Sequence, residues 1–74
     1  DMASHLVIAP MTGRIIEILV TAGEPIEEGH LLVVIESMKM ENEIFAAVTG
    51  TVIEVKIQSD QTVMEGDTLM VIEV

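Results

Sequence analysis

The chain has no cysteine, no tryptophan and no tyrosine, and its one aromatic residue is Phe45. Without thiols there is no disulfide framework, no thiol nucleophile and no thiolate ligand for zinc, and the two histidines, His5 and His30, form no metal-ligand spacing. Basic residues are nearly as scarce. Arg14, Lys39 and Lys56 stand against 13 acidic residues, giving a formal charge of -10. Such a chain offers no basic patch to neutralise phosphates and no aromatic platform for stacking bases, which excludes nucleic acid as a partner. Long apolar runs are missing too: stretches such as Leu31 to Ile35 fall far short of the roughly 20 residues a spanning helix needs. No charged-then-apolar start resembles a signal peptide, and no membrane partner is expected. The absence of cysteine fits a reducing compartment.

What the chain does have is apolar content: half of its 74 residues are hydrophobic, which a disordered segment of this charge would not show. One small domain is expected, with nearly every strand-forming residue used in its core and little interior to spare for an enclosed catalytic pocket.

That domain is written twice. Residues 9–36 match residues 46–73 at a constant offset of 37 without a gap, and 11 of the 28 aligned positions are identical, among them Thr12/Thr49, Gly13/Gly50, Glu28/Glu65, Gly29/Gly66, Leu32/Leu69 and Ile35/Ile72. Other pairs preserve shape alone, such as Ile15/Val52 and Ile26/Val63. Two such similar halves are expected to adopt one conformation.

Within each copy, Gly13, Gly29, Gly50 and Gly66, with Gly23 or Asp60 between them, mark expected bends, read as sites of positive φ or tight turning. The segments between bends are rich in Val and Ile, which make up 20 of the 74 residues and favour the pleated backbone. Strands are expected over 6–9, 14–20, 31–37, 40–46, 51–57 and 69–74, with short extended pieces near Pro25 and Thr62. No window has the 3.6-residue periodicity of an amphipathic helix. The fold class expected is all-β: two halves, each too small to bury its own face, packed as a two-layer sandwich or flattened barrel with quasi-two-fold symmetry. Shifting the link between copies by 37 residues lands on the chain termini. The linking hairpin and the termini should therefore occupy equivalent places at opposite ends of the domain.

The link reads Glu36-Ser37-Met38-Lys39-Met40-Glu41-Asn42-Glu43, and here the strand pattern breaks. A tight hairpin ordinarily recruits Asn-Gly, Asp-Gly or Gly, so a lysine between two methionines violates a local rule, and such violations mark functional places. A turn lysine is ordinarily just a solvated charge. Two features argue for more: the chain has only two lysines, and Met38 and Met40 put flexible apolar side chains where exposed apolar groups mark contact surfaces. Core filling, the ordinary role of methionine, suits Met11, Met64 and Met70 better. Lys39 is a poor catalytic amine, because a lysine nucleophile needs burial or a neighbouring cation and Glu36, Glu41 and Glu43 supply neither. A substrate for modification by another protein is the better reading, and no catalytic residue is expected in the chain. The acids Glu24, Glu27 and Glu28 lack the Asp-rich spacing of a calcium loop and read as solvated carboxylates, leaving no metal site.

These residues, with Gly29 and the apolar strand Leu31 to Ile35 before them and Gly50 after them, resemble the biotinyl (biotin carboxyl carrier) domain of the biotinyl/lipoyl-attachment family. The resemblance spans Val7 to Val74. It implies a flattened barrel of two four-stranded antiparallel sheets (a barrel-sandwich hybrid) and biotin in amide linkage on Lys39. It also implies that Met38 and Met40 are read by biotin protein ligase and the carboxylase, with Glu36 and Glu41 as the environment of the hairpin tip. The implied function is a non-catalytic carrier, a domain or subunit of a ligase-class biotin-dependent carboxylase, which shuttles a carboxyl group between biotin carboxylase and carboxyltransferase sites. Ser37 stands where the family commonly has alanine. The segment Thr21 to Gly29 is too short for the protruding thumb of some bacterial acetyl-CoA carboxylase carriers, so the acyl-CoA, pyruvate and decarboxylase carriers are the nearer kin. The alternative is a lipoyl-carrying domain of a 2-oxoacid dehydrogenase-type complex, which resembles this chain in fold but typically shows Asp-Lys-Ala at the tip. The expected division is residues 1–5 as linker or vector-derived residues and 6–74 as the carrier domain, monomeric when isolated. The expected location is cytoplasmic, or the mitochondrial matrix for a eukaryotic carboxylase.

Overall fold

The computed structural model describes residues 3–74 and contains eight strands: β1 (Ser4–Ile8), β2 (Gly13–Ile18), β3 (Pro25–Ile26), β4 (Leu31–Ser37), β5 (Met40–Phe45), β6 (Gly50–Val55), β7 (Thr62–Val63) and β8 (Thr68–Glu73). Among the described residues no helix is long and apolar enough to cross a membrane. The strands form two four-stranded antiparallel sheets, ordered β1-β8-β6-β3 and β5-β4-β2-β7. The all-β, two-sheet expectation is what the structure shows. β1 opens at Ser4, with Ser4 opposite Glu73 and His5 opposite Ile72, so the ladder begins two residues before the expected Leu6. Asp1 and Met2, also expected as linker, lie outside the described residues.

The offset of 37 carries β2 onto β6, β3 onto β7 and β4 onto β8, and it carries β5 onto β1; one sheet order thereby becomes the other. Even the irregularities repeat. The bulge between Ile15 and Glu17 against β4 recurs between Val52 and Glu54 against β8, and these extra residues add local twist to each sheet. In one respect the architecture differs from two stacked halves. β3 of the first copy pairs with β6 of the second, and β7 of the second pairs with β2 of the first. Each sheet is thus shared, because a two-residue strand finds a ladder partner only across the interface.

Between the sheets the core is built from equivalent residues of both copies. Ile15/Val52, Leu32/Leu69, Val33/Met70 and Ile35/Ile72 are all fully buried. Of the methionines expected to fill the core, Met70 is buried and Met11 packs against the core, but Met64 is exposed, since it sits in the turn after β7 where the first copy has Glu27. Gly23, Gly29, Gly66 and Asp60 adopt positive φ, as expected of bends. Gly13 and Gly50 do not. They open β2 and β6, and a Cβ on either would strike the carbonyl oxygen of Glu36 or Glu73, so the requirement there is close backbone approach.

The molecule measures 40 × 18 × 17 Å. A seven-residue strand such as β4 spans about 23 Å at ~3.3 Å per residue, so the β4-β5 and β8-β1 ribbons fill the long dimension only by pointing opposite ways. Ala3 and Val74, which exchange backbone hydrogen bonds of 3.4 and 2.9 Å, close the second ribbon, just as Ser37 opposite Met40 closes the first. The linking hairpin therefore projects from one end and Ala3 and Val74 lie at the other.

Candidate functional site

The hairpin tip follows from the ladder. Glu36 faces Glu41 and Ser37 faces Met40, which leaves Met38 and Lys39 as a two-residue loop. Their φ values of 53° and 65° put both in the left-handed region, the backbone of a type I′ turn whose twist matches the flanking strands. For residues other than glycine this conformation costs roughly 1–2 kcal/mol each. Strain of this kind persists where the surroundings over-determine it, and two consecutive residues of this kind at a tip mark a functional place. One such support is Asn42, whose side-chain Nδ2 donates to the Met40 carbonyl at 3.2 Å and to that of Ile35 at 3.4 Å, fastening the two strands just below the loop.

Every sequence-selected residue is at or beside this tip. Lys39 is exposed, and among the described residues no carboxylate lies within ion-pair distance of its ammonium. Met38 is 93% exposed and Met40 67%, so two thioethers stand in solvent on either side of the amine. Among the described residues no cavity encloses them. Glu36 and Glu41 form the second cross-strand pair behind the loop, after Ser37 and Met40, while Glu43 lies further back, level with Val34.

The structure adds a cation that the sequence reading did not connect with the tip. Arg14 of β2 faces Glu36 across the ladder; its Nη2 lies 3.3 Å from Glu36 Oε1 and its Nη1 donates to Asp60 Oδ1 at 2.6 Å. Glu36 is thus flanked by Glu41 on one side and Arg14 on the other, so the free acidity of the tip rests on Glu41 and Glu43. At the two-fold-equivalent place the corresponding residues are Thr51 and Glu73 of the second copy and Gly23 of the first, so the charged trio exists only at the hairpin end. Asp60 holds φ 71° where its counterpart Gly23 holds 94°. Asp60→Gly should relieve about 1 kcal/mol of left-handed strain while losing an exposed ion pair of about 0–1 kcal/mol. Thermal unfolding of this variant is expected within a few degrees of the parent; a fall above about 10 °C would show the pair to be worth more than its exposure allows.

Two stacked sheets that hold a strained lysine, unpaired among the described residues, out on a hairpin have the geometry of an attachment domain, a class in which a side chain is presented for another protein to load. Comparison with known proteins agrees. The family model described as "Biotin-requiring enzyme" matches residues 5–72, and the chain belongs to that biotin/lipoyl family. Similar curated proteins include the biotin carboxyl carrier protein of Streptococcus mutans, 46% identical over 44 residues, and the methylmalonyl-CoA decarboxylase subunit gamma of Veillonella parvula, 44% identical over 43 residues. These matches cover 60% and 58% of this chain and 34% and 33% of those proteins. Among solved structures, a single-chain, multi-domain long-chain acyl-CoA carboxylase superposes with a TM-score of 0.87 at 29% identity, covering 92% of this chain and 7% of that one. The chain thus spans about a third of either curated relative and a small part of the solved enzyme.

Proposed function

We propose that the chain is the biotin carboxyl carrier of a biotin-dependent carboxylase or decarboxylase, with biotin attached to Lys39. The observation that carries this reading is the exposed Lys39 amine in a left-handed hairpin corner, bracketed by two exposed methionines, in a chain of the biotin-requiring family. The residues fit the group: the amine is accessible, unpaired among the described residues and free of surrounding walls, as amide formation by an external ligase requires. When bound, biotin supplies a ureido nitrogen able to accept and release a carboxyl group. The chain's own part is mechanical. Its rigid barrel holds the lysine at the far end from Ala3 and Val74, so that tethering replaces bimolecular encounter with a high effective concentration at each of two active sites. Met38 and Met40 supply the apolar surface read by biotin protein ligase and the carboxylase, and Glu36 and Glu41 shape the charge beside it. The carrier domain of this reading takes in residues 6–74 together with Ser4 and His5, which pair in β1, and is monomeric when isolated. ATP-dependent loading of this kind belongs to the cytoplasm, or to the mitochondrial matrix for a eukaryotic carboxylase.

Incubating the chain with biotin protein ligase, ATP and biotin and measuring intact mass tests the reading. One biotinyl increment, mapped to Lys39, is expected. A lipoyl increment appearing instead with a lipoate ligase would support the related attachment chemistry, and no increment with either would reduce the chain to an interaction domain. With Glu36 paired to Arg14, Glu41 and Glu43 outweigh Lys39 at the tip before loading, and amide formation only strengthens that sign, so partners with basic surfaces should be steered to the tip. The kcat/KM of loading is then expected to fall several-fold as salt rises from about 0.05 to 0.5 M. A flat profile across that series would remove the steering idea.

A further inference from the structure

The chain contains no cysteine, so methionine thioethers are its only oxidisable sulfur. Their placement is uneven. Met70 is fully buried and Met11 is partly buried against the core, whereas Met38 and Met40 are 93% and 67% exposed on the two sides of Lys39. Both belong to or adjoin the two-residue loop, and neither packs into the core cluster. Met64 is also exposed, at 61%, but lies in the turn after β7. We propose that Met38 and Met40 form a reversible oxidation site that turns loading of Lys39 down. The inference rests on the carrier reading above and adds a regulatory chemistry to the same tip.

The oxidant is a hydroperoxide, with hydrogen peroxide the simplest. A thioether sulfur lone pair attacks one peroxide oxygen, the sulfur–oxygen bond forms as the oxygen–oxygen bond breaks, and the departing hydroxide takes up the remaining proton as water. Each methionine is oxidised by two electrons to the sulfoxide while one peroxide is reduced. Reversal belongs to the two methionine sulfoxide reductases, one for each sulfoxide epimer: a dithiol reductant is oxidised to its disulfide while the sulfoxide oxygen leaves as water. The change in the side chain is large in kind and small in size: a flexible apolar thioether becomes polar and chiral, with a strong acceptor oxygen. Because both side chains are exposed and neither packs against the core, the fold has no core contact to lose. A partner that buries them does, since the sulfoxide oxygen arrives in an apolar contact without a donor.

The test uses the unloaded chain. Graded hydrogen peroxide is followed by peptide mapping, ligase-catalysed loading and circular dichroism, with and without subsequent treatment by both methionine sulfoxide reductases and a dithiol reductant. Met38 and Met40 are expected to gain one oxygen each well before Met70. With both oxidised, kcat/KM for loading should fall by about tenfold or more, as expected for one unpartnered polar group per contact. The β signal should persist and the reductases should restore the rate. Met64→Leu removes the one other largely exposed methionine sulfur among the described residues and should leave both the loading and its peroxide sensitivity as in the parent. The proposal is overturned if the doubly oxidised chain loads within twofold of the untreated one, or if Met38 and Met40 oxidise no faster than Met70. It is equally overturned if lost loading accompanies a lost β signal, is not restored by the reductases, or disappears with Met64→Leu. Failure of the untreated chain to load at all would refute the carrier reading itself, and the switch with it.

Discussion

Lys39→Arg is expected to take up no biotin under any loading regime, with an intact mass unchanged after prolonged incubation with ligase, ATP and biotin. A guanidinium keeps the charge and the length but stays protonated and does not form the amide. Because the side chain is exposed and unpaired among the described residues, the substitution should alter stability by no more than about 0.5 kcal/mol, so loss of loading will not reflect loss of fold. A sharper version moves the amine by one residue. In the double variant Met38→Lys, Lys39→Met the loop keeps its composition and its lysine, and both positions already share left-handed backbone. Successive side chains of a two-residue turn leave it in different directions, however, so the amine meets the ligase in the wrong place. Misplacement on the order of 1 Å can cost about a hundredfold, and a loss of at least that size is expected here. Loading of the exchanged variant at near the parent rate would show that any exposed tip lysine suffices and would end the role assigned to Met38 and Met40.

The site was legible in the sequence because it breaks a local rule. A lysine between methionines where a hairpin wants Asn-Gly stands out against regular strands, and the repeat says which end of the molecule it occupies. The fold was legible for a related reason: the offset of 37 forces equivalent strands, and Val and Ile mark where they run. Three things were not. The sharing of β3 and β7 between copies is a pairing choice that periodicity does not encode, since either two-residue piece reads the same wherever it docks. The bond from Arg14 to Asp60 joins residues 46 apart, and only the finished sheet brings the β6-β7 turn beside β2. Asn42 was visible as a polar residue in the motif, but its hold on the Met40 carbonyl depends on the bond directions at the tip. One signal was available and unused. Arg14 and Asp60 are departures from the repeat, opposite Thr51 and Gly23, and departures from an internal repeat locate what one end does that the other does not.

The glycines at 13 and 50 show how the same residue type can be needed for a different reason, and the difference is measurable. A Cβ at Gly13 would collide with the Glu36 carbonyl oxygen and lie 2.8 Å from Ile35 Cγ2; at Gly50 it would collide with the Glu73 oxygen and lie 2.9 Å from Ile72 Cγ2. Both isoleucines are fully buried, so neither can move aside without disturbing the core. Gly13→Ala and Gly50→Ala are each expected to cost about 2–4 kcal/mol, a large share of the roughly 5–15 kcal/mol a native domain possesses. That loss should lower the unfolding midpoint by on the order of 10–25 °C. Gly29→Ala is the control: at φ +91° with nothing within 4 Å it faces only backbone strain, about 1–2 kcal/mol. A Gly13→Ala variant no less stable than Gly29→Ala would mean that the strands slide apart freely and that the close approach is not rigid. The two-fold further requires the costs at 13 and 50 to agree within about 1 kcal/mol, because the colliding atoms are equivalent. Their consequences for loading should nevertheless differ. Gly13 bears on Glu36, one residue before the strand end that carries the tip, whereas Gly50 bears on Glu73 at the chain-terminal end. Measured well below both midpoints, Gly13→Ala should slow ligase-catalysed loading while Gly50→Ala leaves it unchanged, so that a scaffold symmetric in energy is shown to be asymmetric in use.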